Sequence, residues 1–412
     1  MQKANGLIAD KRFFISIKTA LVGAVMLFVA CRASAQTAEA PKWQLRGYQK
    51  FLQATTFVPG SFSPLPLPVN QFMLNDMLLH NRLNFRWFPL EKFTLRAEVR
   101  SRAFWGDQVR FAALLGQNYL DQIDPGSDDF FDWSAGYQND NGYALHTTLD
   151  RFYAEYSAGS WELRLGRQRV NWGIGTIWNP NDIFNAYNFT DFDYEERPGS
   201  DALLVRRYLG VQSSVEIAAK AARNWDEFTG AALVKFNVGT YDLQVLAGVF
   251  QKNTVLGGGW AGNMGNASFK GEVAWFRPLD DTLQQSLALT LSLDYTLPSQ
   301  MYLSGGILVN SLGTTTRNAT EIFAFELSAR NLYPYRYSIL AQAGYPITPL
   351  LNGALIAVYS PGKAHAMFIN PVITYSLAQN WDLDLVGQVL FQKEEKFRSP
   401  VQAGFLRVKW SF

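Results

Sequence analysis

The chain has 412 residues, with 37 lysines and arginines against 35 aspartates and glutamates, and a single cysteine. So even a balance excludes a bulk nucleic-acid binder, and one cysteine excludes a disulfide framework or a cysteine-ligated metal site.

The chain opens with an address. Lys11, Arg12 and Lys18 precede an apolar run, Thr19 to Ala30, and Ala33-Ser34-Ala35 is a small-x-small cleavage site. This predicts a secretory signal peptide over residues 1–35, with Gln36 as the new N-terminus. The run is shorter than the ~20 residues of a transmembrane helix. Cys31 after Val29-Ala30 raises a lipoprotein signal as the alternative, against which stand Phe28 and Arg32. Cleavage removes Lys3, Lys11, Arg12, Lys18 and Arg32 against Asp10 alone, together with Cys31, so the mature chain is slightly acidic and free of thiols.

Residues 36–412 contain no linker-like stretch and no sustained amphipathic helix, and they read as one domain. The dominant signal is alternation. Phe93, Leu95, Ala97 and Val99 interleave with Thr94, Arg96, Glu98 and Arg100; Leu287, Leu289, Leu291, Leu293 and Tyr295 interleave with Ala288, Thr290, Ser292 and Asp294; Trp381, Leu383 and Leu385 interleave with Asp382 and Asp384. Period 2 gives each segment one apolar and one polar face. The segments are about ten to thirteen residues, the length of a tilted strand crossing a bilayer. In a membrane barrel the apolar face meets lipid and the polar face lines a wet lumen.

Short turns fall near 89–92, 157–160, 209–210, 237–239, 265–266, 297–299, 348–349 and 378–380. Longer connections alternate with them near 56–76, 106–144, 172–199, 221–228, 252–255, 278–284, 312–334, 361–366 and 393–400. These connections join eighteen strands, and the even count puts both termini on the short-turn side. The fold class is therefore all-β: a transmembrane antiparallel up-and-down β-barrel of 18 strands. Sixteen is the alternative, because Gly257 to Met264 is glycine-rich and Glu321 to Arg330 also reads as helix. Alternation begins by Trp43, which leaves no room for a plug domain ahead of the barrel.

The inward phase of the early strands is strongly charged. Arg82 and Arg86 lie opposite Leu83, Phe85 and Trp87; Arg96, Glu98, Arg100 and Arg102 follow; Arg151 and Glu155, then Glu162 and Arg164, continue the pattern. Guanidinium groups stay charged and present a planar fork to carboxylate, phosphate or sulfate, and rings of them set anion preference in pores. The competing reading is a structural ladder in which Glu98, Glu155 and Glu162 neutralise the arginines.

Strict alternation through Trp161, Leu163 and Leu165 then sends Arg167 and Arg169 towards lipid, at ~2–4 kcal/mol each at the midplane. A bulge at Gly166 would flip the phase and turn Arg167, Arg169 and Asn171 into the lumen; otherwise the strand has left the hydrocarbon and the arginines meet headgroups. Beyond Trp172, Asn179-Pro180-Asn181 signals a turn and Asp182 the start of a short helix, in a long loop that folds inward to narrow the pore. The glycines here lack the lysine and Ser/Thr of a phosphate loop.

Asp121, Asp124, Asp128, Asp129 and Asp132 make an acidic loop without EF-hand spacing, read as a solvated face rather than a Ca²⁺ site. Trp87, Trp105, Trp161, Tyr295 and Trp410 suit interfacial girdles. His80, His146 and His365 are scattered, and no serine–histidine or aspartate–histidine motif suggests an enzyme.

The C-terminus reads GFLRVKWSF, with Leu406, Val408, Trp410 and Phe412 on one face. It resembles the terminal signature of bacterial outer-membrane β-barrels, which in that family is read by the barrel-assembly machinery. Gly166-Arg167-Gln168 followed by Trp172-Gly173 resembles a broad group of outer-membrane porin and alginate-export-like barrels. The resemblance implies an eighteen-strand passive channel for small solutes or polysaccharide. The expected protein is a porin-like diffusion channel of a Gram-negative outer membrane, passing small anionic or carboxylated solutes. The alternatives are a polysaccharide export channel and a non-conducting barrel subunit of a larger envelope complex. Expected partners are the lipid bilayer, lipopolysaccharide, the assembly machinery, the solute and other envelope proteins, with no nucleic acid, cofactor or metal.

Overall fold

The computed structural model describes residues 41–59, 71–124, 130–139, 141–186, 193, 199–280, 284–316, 325, 327–363, 365–393 and 396–412. The predicted signal peptide lies outside them.

The strands are β1 (Trp43–Pro59), β2 (Gln71–Leu90), β3 (Phe93–Gly106), β4 (Ser134–Asn139), β5 (Tyr143–Ala158), β6 (Trp161–Gln168), β7 (Ser200–Tyr208), β8 (Ser214–Lys220), β9 (Thr229–Val238) and β10 (Tyr241–Phe250). They continue as β11 (Asn253–Met264), β12 (Ala267–Pro278), β13 (Ser286–Thr296), β14 (Tyr302–Asn310), β15 (Tyr337–Thr348), β16 (Leu351–Ser360), β17 (Ala366–Ala378), β18 (Trp381–Lys393) and β19 (Phe397–Ser411). All ladders are antiparallel between sequence neighbours, except that β3 pairs with β5 directly and β4 pairs with β5 alone. β1 pairs with β19 from Tyr48↔Ser411 to Phe57↔Gln402, which closes the ring. β4 stands outside the ring, flanking the part of β5 that short β6 does not reach. The barrel thus has 18 strands, and closure pairs the backbone groups that an open edge would leave bare in lipid.

Gly257 to Met264 forms most of β11; Trp260 stands cross-strand from Gly271 and covers it, so an aromatic ring fills what the glycine leaves empty. Of Glu321 to Arg330, residues 321–324 and 326 lie outside the described residues and Ser328 makes only an isolated bridge to Asn331, while β14 pairs directly with β15.

The alternation places apolar side chains outside. Trp161, Leu163 and Leu165 are exposed, as are Leu287, Leu293 and Tyr295, while Ala288, Thr290 and Asp294 between them are buried in the lumen wall. Trp43, Trp87, Tyr156, Trp161, Tyr295, Tyr375 and Trp381 are exposed near the short-turn ends and form the girdle on that side.

The seam is tight. Gly47 and Phe412 exchange backbone hydrogen bonds of 3.0 and 2.9 Å. A Cβ on Gly47 would approach the Phe412 ring to 2.7 Å and collide with the Arg82 carbonyl. Trp410 packs 5.0 Å from Phe412 and stacks on Trp381. Gly47→Val is therefore expected to destabilise the closed barrel by about 1–3 kcal/mol, the cost of overpacking, read as a lowered urea midpoint in detergent micelles. A wild-type midpoint would show that the seam has slack.

Candidate functional site

Register builds the charged wall. The inward residues of β2 and β3 meet as Arg82↔Arg100 and Arg86↔Arg96. Like charges opposite one another repel, so acids must intervene. The β3–β5 register slips between Glu98 and Val99, and this bulge admits Asp150 as an extra residue beside Arg151. Arg82, only 1% exposed, bridges Glu98 at 2.6 Å and Asp150, and Arg100 reaches Asp150 at 3.0 Å. Sequence reasoning missed Asp150. Its signal was two residues, not one, between the outward Leu149 and Phe152.

The ladder continues around the lumen. Arg164 holds Glu155 at 2.8 Å and Glu162 at 2.7 Å. Arg206 holds Glu162 and Glu216 at 3.1 and 3.0 Å, and Glu216 also takes Lys235 at 3.1 Å. Further round the ring Lys270 of β12 pairs with Asp294 of β13 and Arg407 of β19 with Asp384 of β18, each at 2.9 Å, while Asp193 takes Lys50 of β1 at 2.7 Å. Alternating charges therefore fix much of the wall.

At one level they do not balance. A cavity of roughly 320 Å³ is lined by Arg46, Arg86, Arg96, Arg151, Arg164 and Arg169, with Glu98 the one carboxylate. Glu98 is already engaged by Arg82 and lies 3.6 Å from Arg96. Arg46 and Arg86 have no ion-pair partner among the described residues. Arg96 and Arg164 both lie over the Tyr153 ring, at 5.7 and 5.8 Å from its centre. The result is a concave surface with surplus positive charge.

The stretch from Gly166 corrects one expectation. Gly166 has a φ of +118° and a Cβ there would strike the Phe152 carbonyl, so the position requires glycine. Yet the pairing of β6 shows no register shift with β5 or β7. Arg167 keeps the phase of Leu163 and Leu165, opposite exposed Phe152 and opposite Asp201. It is not a lumen residue. Its guanidinium donates to both Asp201 oxygens at 3.0 and 3.2 Å and to the Phe131 carbonyl at 3.0 Å, while the Phe131 N–H donates to Asp201. A salt bridge capped by a loop, not a phase flip, makes Arg167 tolerable there. Arg169 does line the cavity, because the chain leaves the sheet after Gln168; it donates to Asn171 at 3.0 Å.

From there the chain folds inward as expected, though Asp182 starts no helix: Asn179 to Asp182 is a turn closed by a 3.1 Å bond. Three inward side chains of distant strands pin this segment. Trp172 Nε1 donates to Glu216 at 2.9 Å, and Gln244 donates to the Trp172 carbonyl at 2.7 Å. Glu272 accepts the N–H groups of Ile174, of Gly175 at 2.6 Å and of Asn181 at 3.1 Å. Val170, Trp172, Ile183 and Phe184 pack on Leu204, Leu233, Leu246 and Phe276 of the inner wall. A second segment, with Leu332, Tyr333 and Tyr335, joins Ile177 and Trp178 against Ala288, Leu308, Leu340 and Val358. Apolar packing thus occupies the lumen along β7–β18, and the arginine cavity lies on the opposite flank.

Glu272→Ala would leave three N–H donors without their acceptor, at about 1–3 kcal/mol each. The expected outcome is a loosened segment, seen as larger and noisier single-channel currents. Unchanged currents would mean that the apolar contacts alone hold it.

The other candidates stand apart. Asp124 accepts from His146 at 2.8 Å, which holds its carboxyl below the ordinary range; Asp121 binds Asn118 and Asp132 binds Ser134. Asp128 and Asp129 lie outside the described residues. His80 lies 3.6 Å from Asp193, and His365 bonds Tyr359.

No protein-family model and no curated protein matches the chain. Solved structures do. OpdQ of Pseudomonas aeruginosa aligns over 90% of this chain and 97% of its own, with a TM-score of 0.55 at 9% identity. OccK11 (OpdR) of the same organism covers 90% and 96%, with a TM-score of 0.54 at 10% identity. The structure of Pseudomonas aeruginosa OpdK with vanillate covers 90% and 98%, with a TM-score of 0.54 at 8% identity; OpdK is described as an outer membrane protein. The fold is that of these outer-membrane barrels.

Proposed function

We propose that the chain is a porin-like passive channel of a Gram-negative outer membrane, passing small anionic solutes, carboxylates above all. The observation that carries this reading is the arginine cavity, in which six guanidinium groups line the wall, Arg164 is held by Glu155 and Glu162, and Glu98, the one lining carboxylate, is already engaged by Arg82. Inside a narrow lumen such a surplus raises the local concentration of anions and repels cations. A planar fork suits a carboxylate better than a halide, because two N–H groups meet two oxygens. Arg86 and Arg96, opposite one another, receive the carboxylate; Arg82 and Arg100, neutralised by Glu98 and Asp150, keep the wall rigid behind them. OpdK with vanillate, an aromatic carboxylate, is a structural neighbour that supports the same solute class.

The two inward segments favour small solutes over polysaccharide, since they fill the lumen along β7–β18 with side chains. Liposome swelling tests the reading. Proteoliposomes should swell faster in a small monocarboxylate than in a neutral sugar of similar size, and no faster than empty liposomes in an oligosaccharide. Equal rates for carboxylate and sugar would remove the anion preference, and entry of the oligosaccharide would favour the export channel.

A further inference from the structure

The outer face is uneven. Away from strand ends, the outward positions of β8–β18 are aliphatic, aromatic or glycine, such as Val245, Leu256, Ile307, Leu355 and Leu385. The flank of β1, β2, β3 and β5 differs. Gln49, Asn81, Ser101 and Thr147 are consecutive cross-strand partners in the outward phase. On the same face Gln49 lies between Gly47 and Phe51, and Asn81 between Leu79 and Leu83, so the row lies within the apolar band. Thr147 and Ser101 bond to each other at 3.0 Å, but Gln49 and Asn81 have no hydrogen-bond partner among the described residues. Gln53, beyond Phe51 on the same face, adds a third amide with no hydrogen-bond partner among the described residues. Lipid tails offer such groups neither donor nor acceptor.

We propose that this flank is an interface on which a second copy of the chain docks. The chemistry is self-complementary. A carboxamide carries both a donor and an acceptor, so the row satisfies its own image across a two-fold axis and needs no oppositely charged partner. Beside the row runs a groove of about 650 Å³, bounded by Thr55, Phe57, Ile373 and Leu385. At its floor Gly387 faces Gly404, and a Cβ on Gly404 would meet nothing within 4 Å. The groove leaves room for a side chain from outside. Together with β19, which pairs with β1 and lines the groove, the flank has five strands spaced ~4.8 Å apart, a face about 20–25 Å wide, over an apolar band ~25 Å tall. Two such faces bury roughly 1,000–1,200 Å², the low end of a specific interface.

Cross-linking in proteoliposomes tests this. The full mature chain carries Asn81→Cys in one variant and Val245→Cys, on the opposite flank, in the other, both with a short bis-maleimide. Asn81→Cys should give a dimer band about tenfold stronger than Val245→Cys. Gln49→Leu combined with Asn81→Leu, both apolar at lipid-facing positions, should weaken dimerisation about tenfold by sedimentation and leave single-channel conductance as in wild type. Equal cross-linking at the two sites, a wild-type chain that stays monomeric at every concentration, or Asn81→Cys captured in intact envelopes only by a chain of another mass would overturn the proposal.

Discussion

Replacing Arg86 and Arg96 together by alanine should lower the preference for anions over cations by on the order of tenfold, and should slow carboxylate uptake more than sugar uptake. A unit charge about 4 Å from a solute is worth about 1 kcal/mol at the dielectric of water and more where the wall excludes water. Two such charges therefore approach the 1.4 kcal/mol or so that equals a factor of ten. Both residues face the cavity, and register places them opposite each other. Arg207→Ala is the control: its guanidinium lies 5.2 Å from the centre of the exposed Trp161 ring, on the outer face, so its loss should leave selectivity unchanged. Equal effects of the two substitutions would mean that overall charge, and not the cavity, sets the preference.

The largest stability effect is expected at Arg82. Its guanidinium is nearly inaccessible and holds Glu98, Asp150 and, at 3.0 Å, the Asn84 amide oxygen. Arg82→Met keeps the volume and removes the charge. Breaking a buried pair by deleting one partner costs about 3–5 kcal/mol. Here the lower end applies, because Asp150 retains Arg100 and Glu98 retains Arg96 more distantly. Restoring balance with Glu98→Gln and Asp150→Asn in the same chain should recover most of the loss. Urea unfolding in micelles reads both. An Arg82→Met barrel as stable as wild type would make the ladder a passive lining.

Most of the barrel was legible because period 2 and turn chemistry are local. Eight short turns and nine longer connections give the strand number, and a terminal strand ending in Phe412 marks the seam. The charged phase of β2, β3, β5 and β6 was legible for the same reason. What escaped was non-local. Alternation extended through Gly166 points Arg167 outward, and no local rule shows that Phe131 and Asp201, far along the chain, cap it there. Glu216 and Glu272 sit in ordinary inward phases; what makes them matter is the segment from Trp172 to Asn181 that folds back on them. Asp193 pairs with Lys50, 143 residues away in the chain, and no periodicity in the sequence marks it. Only Asp150 left a readable trace, the doubled inward pair in Leu-Asp-Arg-Phe.

The proposed anion selectivity of the lumen rests on the arginine cavity. The most direct measurement is the reversal potential of the single wild-type channel in a planar bilayer under a salt gradient. The expected result is a stable open channel whose reversal potential has the sign of anion selectivity and moves towards zero in Arg86→Ala/Arg96→Ala. A cation-selective potential, or no conductance from well-folded barrel, would contradict it.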